Sequence, residues 1–312
     1  MKNFLNKKKI LFSLCLAFII IFILFFYLSL NSYKQQALNS RKNSLQILAN
    51  EKALLVNNFL ENKKETLQVL SSLSVFKDAA LAPDDPDKIM EVKQIIQELK
   101  EYVPGIGILT KEGIVVVAEN TPAGTDYSSL PQFPANDQSK ITFLRYYDIA
   151  RKKDFYAIGG PIYDKVEKTK VIGAISINVD LEAIAALMEE TLDKGDSDEV
   201  YLIDNSGLLL SSSEYIGQGN KNGILIQEVK SKGAQECLED LDKYKKDDTE
   251  GEGEEVEEHE EEVIRYKNYM GDDVFGAHAY TPEIMGCVIA EESADEKMSS
   301  SILGYLKSIF SK

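Results

Sequence analysis

Residues Asp154 to Ile184 read DFYAIGGPIYDKVEKTKVIGAISINVDLEAI. Two runs rich in β-branched and aromatic residues, Phe155 to Tyr163 and Val171 to Asn178, flank a charged segment, and a helical run follows Asp180. The unit this spells is strand, turn, strand, helix. It recurs loosely as VFGAHAYTPEIMGCVIAEE, Val274 to Glu292, where a Pro turn joins the strands. Upstream, ILTKEGIVVVA (Ile108 to Ala118) and VYLIDNSGLLLSSS (Val200 to Ser213) echo each other as strand, Gly-containing turn and strand. Another strand, ITFLRYYD, precedes the first unit. Two α/β modules of roughly 100 residues each account for this order, a normal domain size.

The N-terminal third is built differently. Ile10 to Leu30, ILFSLCLAFIIIFILFFYLSL, carries no charge and is as long as the roughly 20 apolar residues that span a bilayer core. Lys2, Lys7, Lys8 and Lys9 precede it, and positive charge is thinner beyond it, which puts the N-terminus in the cytoplasm. The run is too long for a cleaved signal peptide and has no small-x-small site. From Ser32 to about Leu81 there is no Pro or Gly, and Leu38, Leu45, Leu48, Leu55 and Phe59 recur at helical spacing. That stripe packs on its own domain or forms a dimer seam. APDDPD (Ala82 to Asp87) breaks the helix, and a second helical run, Lys88 to Tyr102, ends before Pro104-Gly105.

The expected fold is therefore α+β: a transmembrane helix continuing into a long helix, then two modules, each with an antiparallel sheet. The expected boundaries are a cytoplasmic tail 1–9, a membrane span 10–30, helices over 31–103, a first module 104–192, a second module 193–297 with an acidic loop 239–262, and an amphipathic tail 298–312.

Composition narrows the function. The chain has 312 residues, 44% hydrophobic and 28% charged, which is ordinary for a globular protein. All 51 acidic residues lie beyond the apolar run, so the exported part repels phosphate backbones and nucleic acid is excluded as a partner. Cys237 and Cys287 either pair in an oxidising compartment or are two unrelated buried thiols; neither has a metal-binding spacing. The acidic run around His259 lacks the spacing of a calcium loop and reads as a solvated segment, so no metal site is expected. His259 and His278 are the only histidines, neither beside a nucleophile, and no phosphate-binding or dinucleotide motif occurs. The chain reads as non-enzymatic, with no cofactor.

The order of these features resembles the double Cache sensor domain, the tandem PAS-like ectodomain of bacterial and archaeal chemoreceptors, sensor kinases and cyclases. The resemblance runs from Ser32 to about Lys297 and includes the loop GTDYSSLPQF, Gly124 to Phe133. It implies that both modules are PAS-like, with 104–192 membrane-distal and 193–297 membrane-proximal, and that a small-molecule pocket lies in the distal one. That loop matches the family stretches "DxDxRxxWY" and "DxSxRxYF", which puts Asp126, Tyr127 and Ser128 at the rim and Phe133 at the closing aromatic. Leu130 stands where the family often has an Arg, and Gln132 where amino-acid sensors have an aromatic. Leu offers no charged fork to a ligand carboxylate, so the implied ligand is neutral, cationic or apolar rather than a typical amino acid.

Tyr146, Tyr147 and Asp148 match a family strand resembling "PYxD". Arg145 supplies the missing positive charge if it faces inward, and is otherwise a surface or ion-pair residue. Tyr156 and Ile158 share one strand face and Phe155 and Ala157 the other, so one set at most lines a pocket. Asp180 matches the family Asp that faces a ligand ammonium; it is equally well placed as a helix N-cap. The implied function is a membrane-anchored extracytoplasmic sensor, with a homodimer through the long helix and a separate signalling partner as further expectations. No output module follows in this chain. A tethered interaction or cation-binding module is the alternative, as is a fragment of a chemoreceptor or histidine kinase.

Overall fold

The apolar run and the leucine stripe belong to one helix, α1 (Lys2–Ser72). In the computed structural model, residues 2–128, 141–148, 153–189, 198–211, 224–250 and 263–294 are described, with side chains omitted at some helix and strand positions. Leu45, Ala49, Ala53, Val56, Leu60, Leu67 and Leu70 form the buried face of α1, an i, i+4, i+8 pattern in which two alanines let other elements approach closely. Phe18, Ile20, Ile21, Leu24, Phe25 and Leu28 stand exposed within the apolar run. Among the described residues no helix is long and apolar enough to cross a membrane.

The long helix ends earlier than its Pro- and Gly-free sequence suggests. Leu73 is extended (φ −63°, ψ 133°), and α2 (Ser74–Leu81) restarts beyond it. Ser71 and Ser72 turn their hydroxyls back onto the carbonyls of Gln68 and Val69, the local competition that weakens helix interiors. Asp85 caps α3 (Pro86–Leu99), accepting from the N–H groups of Asp87 and Lys88, with Pro86 in the first turn.

Both expected antiparallel sheets form. The first has strands β1 (Gly107–Thr110), β2 (Val115–Ala118), β3 (Thr142–Asp148), β4 (Lys153–Tyr163) and β5 (Val171–Asn178), in the order β2-β1-β5-β4-β3. Gly113 (φ +88°) closes the β1–β2 turn. Helix α4 (Leu181–Glu189) follows β5. The second sheet has β6 (Asp198–Ile203), β7 (Ile264–Lys267), β8 (Asp273–Thr281) and β9 (Gly286–Ser293), ordered β6-β9-β8-β7. A short 3-10 turn, Pro282–Ile284, joins β8 to β9. Among the described residues just after β6, Leu208 and Leu209 make single bridges to Glu228 and Ile203 rather than a full strand.

Alternation sorts each sheet into two faces. Ile108, Ile158, Ile175 and Ile177 face the helical side of the first sheet, where Leu60, Leu67, Leu70 and Phe76 belong to the same core. Val200, Leu202, Ala277, Ala279, Val288 and Ala290 belong to that core too, so one helix fills against both sheets. The opposite face of the second sheet carries Tyr201, Ile203, Cys287 and Ile289 under α5 (Lys232–Glu250). Residues 239–250 of the expected acidic loop are thus helical, because Cys237, Leu238 and Leu241 give α5 an apolar side at i, i+1, i+4. Cys237 and Cys287 form a disulfide that ties α5 to β9, which resolves the alternative left open by spacing.

Candidate functional site

The face of the first sheet opposite α1 is made of small and neutral side chains. β1 contributes Gly107 and Leu109, and β5 contributes Ala174, Ser176 and Asn178. Opposite them on β4 lie Ala157, Gly159 and Pro161. Short side chains leave a shallow floor, and Ser176 and Asn178 are its polar groups on β5. Asn178 is only 8% exposed. Its backbone N–H donates to Pro104 O, and its amide lies against Gly105, where φ is +70° and a Cβ would overlap it. A hydroxyl and an amide offer both donors and acceptors without charge. Neither residue was singled out from sequence, although the alternation Ala174, Ile175, Ser176, Ile177, Asn178 carries the signal.

The expected rim residues occupy the β2 edge. Val115 N–H donates to Thr125 O, Gly124 N–H to Val115 O and Tyr127 N–H to Gly113 O, and Asp126 bridges to Ile114, so this segment runs back along β2. The Asp126 carboxylate is exposed and accepts from the Ser128 N–H at 2.8 Å. Hydrogen bonding from Ser128 holds it below the usual carboxylate range. Tyr127 is half-buried, its hydroxyl 3.4 Å from Thr121 Oγ1. Leu130, Gln132 and Phe133 lie outside the described residues. Tyr147 and Asp148 pair through their backbones with Asp154 and Lys153, and their side chains lie outside those described.

The remaining expected residues lie elsewhere. Arg145 and Tyr156 are cross-strand partners and share the face that packs toward α1. Four strand spacings, roughly 19 Å, separate β3 from the β2 edge where Asp126 sits. Arg145 Nη2 donates to Leu225 O, in the second module, at 3.3 Å. Tyr156 is a core residue; burial raises its hydroxyl pKa far above the ordinary value, with Asp204 adding to the rise and Arg145 opposing it. Asp180 is exposed and caps α4, accepting from the N–H groups of Glu182 (2.9 Å) and Ala183 (3.3 Å). The structure therefore groups Asp126, Tyr127 and Ser128, and separates them from Arg145, Tyr156 and Asp180. Among the described residues no group of three or more His, Cys, Asp or Glu is placed to hold a metal.

Two antiparallel sheets hung in sequence on one long helix form the frame, and the Cache domain model matches residues 29–297 of the chain. The chain belongs to the Cache domain family. A comparison with curated proteins finds no match. Among solved structures, the chain is similar to the sensor domain of the Vibrio cholerae histidine kinase DctB, with 12% identity, 84% of this chain and 99% of that one covered, and a TM-score of 0.58. It is also similar to the ligand-binding domain of the Pseudomonas aeruginosa PAO1 amino acid chemoreceptor PctB in complex with L-Arg, with 13% identity, 83% and 97% covered, and a TM-score of 0.54. A third is the ligand-binding domain of the Pseudomonas fluorescens chemoreceptor CtaA in complex with L-serine, with 11% identity, 84% and 100% covered, and a TM-score of 0.52. At these identities the likeness establishes the Cache fold.

Proposed function

We propose that this Cache protein is a membrane-anchored extracytoplasmic sensor. In this reading residues 1–9 are cytoplasmic, 10–30 cross the bilayer, 104–192 form the membrane-distal ligand module and 193–297 the proximal one. The observation that carries it is α1, which runs from the apolar segment past both sheets. The belt of exposed Phe18, Ile20, Ile21, Leu24, Phe25 and Leu28 is an apolar surface of the kind that membrane contacts use, which supports this reading. Sensor and ligand-binding domains among the similar structures support the same role.

The ligand is a small molecule seated over the floor of the first sheet, between Ser176 and Asn178 of β5 and the β2-edge loop that carries Asp126, Tyr127, Ser128 and Phe133; Tyr147 and Asp148, on β3 with Arg145, are left outside this site. The ligand is neutral, cationic or apolar, because Leu130 supplies no guanidinium and the β1 and β5 floor carries no charge. Binding favours one arrangement of rim and sheet, and the bias travels along α1. Ile47 and Leu54, seven residues apart and exposed, offer a seam for a second copy, and a separate signalling partner reads the displaced helix.

A thermal-shift screen of the full chain in mild detergent tests this. Sugars, polyols, amines, purines and amino acids form the panel. A ligand that binds only the native state raises the melting temperature. The expected result is a shift with an uncharged or cationic compound that is lost in Asn178→Ala. A flat response to every compound overturns the sensor reading.

A further inference from the structure

We propose that the second module contains a proton-binding site at Glu291 of β9, distinct from the floor of the first sheet. Glu291 is 1% exposed. Its Oε1 accepts from the hydroxyls of Tyr201 (2.8 Å) and Tyr266 (2.7 Å). Its Oε2 is buried with no hydrogen-bond partner. An unpaired buried carboxylate oxygen is one of the costlier arrangements in a folded protein, and neutralising the group removes most of that cost.

A proton fits this place better than a larger cation. No metal-holding group occurs among the described residues. The adjoining space is taken by Tyr266, whose ring and hydroxyl lie where a Cβ on Gly233 or Gly276 would stand. A proton needs neither room nor further ligands.

The groups facing Glu291 are predominantly acidic or neutral. Glu199 of β6 is its cross-strand partner, 4% exposed, and accepts from the Tyr269 hydroxyl through both oxygens. Gly276 of β8, on the other side, brings no side chain. His278 lies two residues farther along β8 and is 3.9 Å from Asp240 of α5. Helix α5 also brings Glu236, whose charge bears on Tyr266, and just before α5 lies Ser231, 3.4 Å from the Tyr201 hydroxyl. Burial holds the Glu291 carboxyl above the usual range, and the two tyrosine hydroxyls pull the other way.

Protonation changes the direction of hydrogen bonds. Ionised, Glu291 receives both tyrosine hydroxyls. When a proton from solvent adds to the carboxylate, the new O–H donates to Tyr201 Oη, which frees the tyrosine proton for Ser231 Oγ. Ser231 Oγ caps α5 through the Ala234 N–H at 3.3 Å. The disulfide returns any movement of α5 to β9. Proton uptake at one buried carboxyl thus acts on the seating of α5.

The test uses the full chain in detergent, with infrared difference spectra and melting temperatures recorded against pH for wild type, Glu291→Gln and Tyr266→Phe. The expected spectrum shows a protonated-carboxyl band that persists above the ordinary glutamate range near pH ~4.3 and is missing in Glu291→Gln. Because the folded pKa is raised, the stability from this group is complete below the unfolded value and is lost as pH rises through the folded one. Wild type therefore loses melting temperature across that window relative to Glu291→Gln. Tyr266→Phe keeps the carboxyl but removes one donor to its ionised form, so its titration moves to higher pH. A band that vanishes in the ordinary glutamate range, a band unchanged in Glu291→Gln, or an unmoved midpoint in Tyr266→Phe overturns the site. If Glu291→Gln does not fold, the Tyr266→Phe midpoint decides.

Discussion

Arg145 donates through Nη2 to the Leu225 carbonyl, joining the edge strand of the first sheet to the second module. Leu225 holds a left-handed backbone (φ 61°), which is uncommon for a residue of its bulk. β3 begins shortly after the segment that contains Leu130 and Phe133, so the joint lies next in the chain to the proposed rim.

Arg145→Ala should lower stability by about 1.5–3 kcal/mol, the usual range for a charged hydrogen bond. Urea denaturation measures the loss. If the joint also carries the ligand's effect, the ligand-induced shift in the second module's amide exchange should shrink in the same variant.

Asp180 separates a structural role from a ligand role. As an N-cap, its loss in Asp180→Ala should cost ~1 kcal/mol, and Asp180→Ser should recover most of it. Ligand affinity should follow neither substitution. A variant of normal stability with abolished binding would return Asp180 to the pocket.

The disulfide closes a loop with a sequence separation of 50. In the chain-entropy model a loop of that length stabilises by about 4 kcal/mol. Paired Cys237→Ser and Cys287→Ser substitutions should therefore lower the urea midpoint strongly, whereas reductant should change little in the folded state, since both sulfurs are buried. A midpoint that does not move would show that the reduced chain retains the same restriction.

His278 gives a pH dependence of opposite sign to Glu291. Burial depresses its pKa below the ordinary value, against the pull of Asp240 and Glu236. A histidine that resists protonation in the folded state loses stability as pH falls below the unfolded value of about 6.5. The difference in melting temperature between wild type and His278→Gln should therefore change between roughly pH 7 and 5. A constant difference over that range would dismiss the effect.

The strand–turn–strand units were legible because β-branched residues and turn glycines act locally, and β1, β2, β4, β5, β8 and β9 lie where those signals place them. Alternation along β4 separated Tyr156 from Ala157, yet could not say which face meets α1; that depends on Leu67 lying against Gly160, a contact far apart in sequence. The same limit hid Asn178 behind the more conspicuous Asp180. The break at Leu73 escaped because neither Pro nor Gly marks it, and the helical start of the acidic run because Leu238 and Leu241 act through a sheet formed by distant residues. Pairing of Cys237 with Cys287 required the same tertiary knowledge.

Because Leu60, Leu67, Val200 and Val288 belong to one continuous core that α1 helps to fill, neither sheet owns a complete interior. Excising residues 104–192 would strand Ile158, Ile175 and Ile177 in water, so the modules are separable in topology but not as folding units. A transplant between Cache proteins would have to carry α1 with whichever sheet it moves, and the natural unit of exchange is the rod together with both of its sheets.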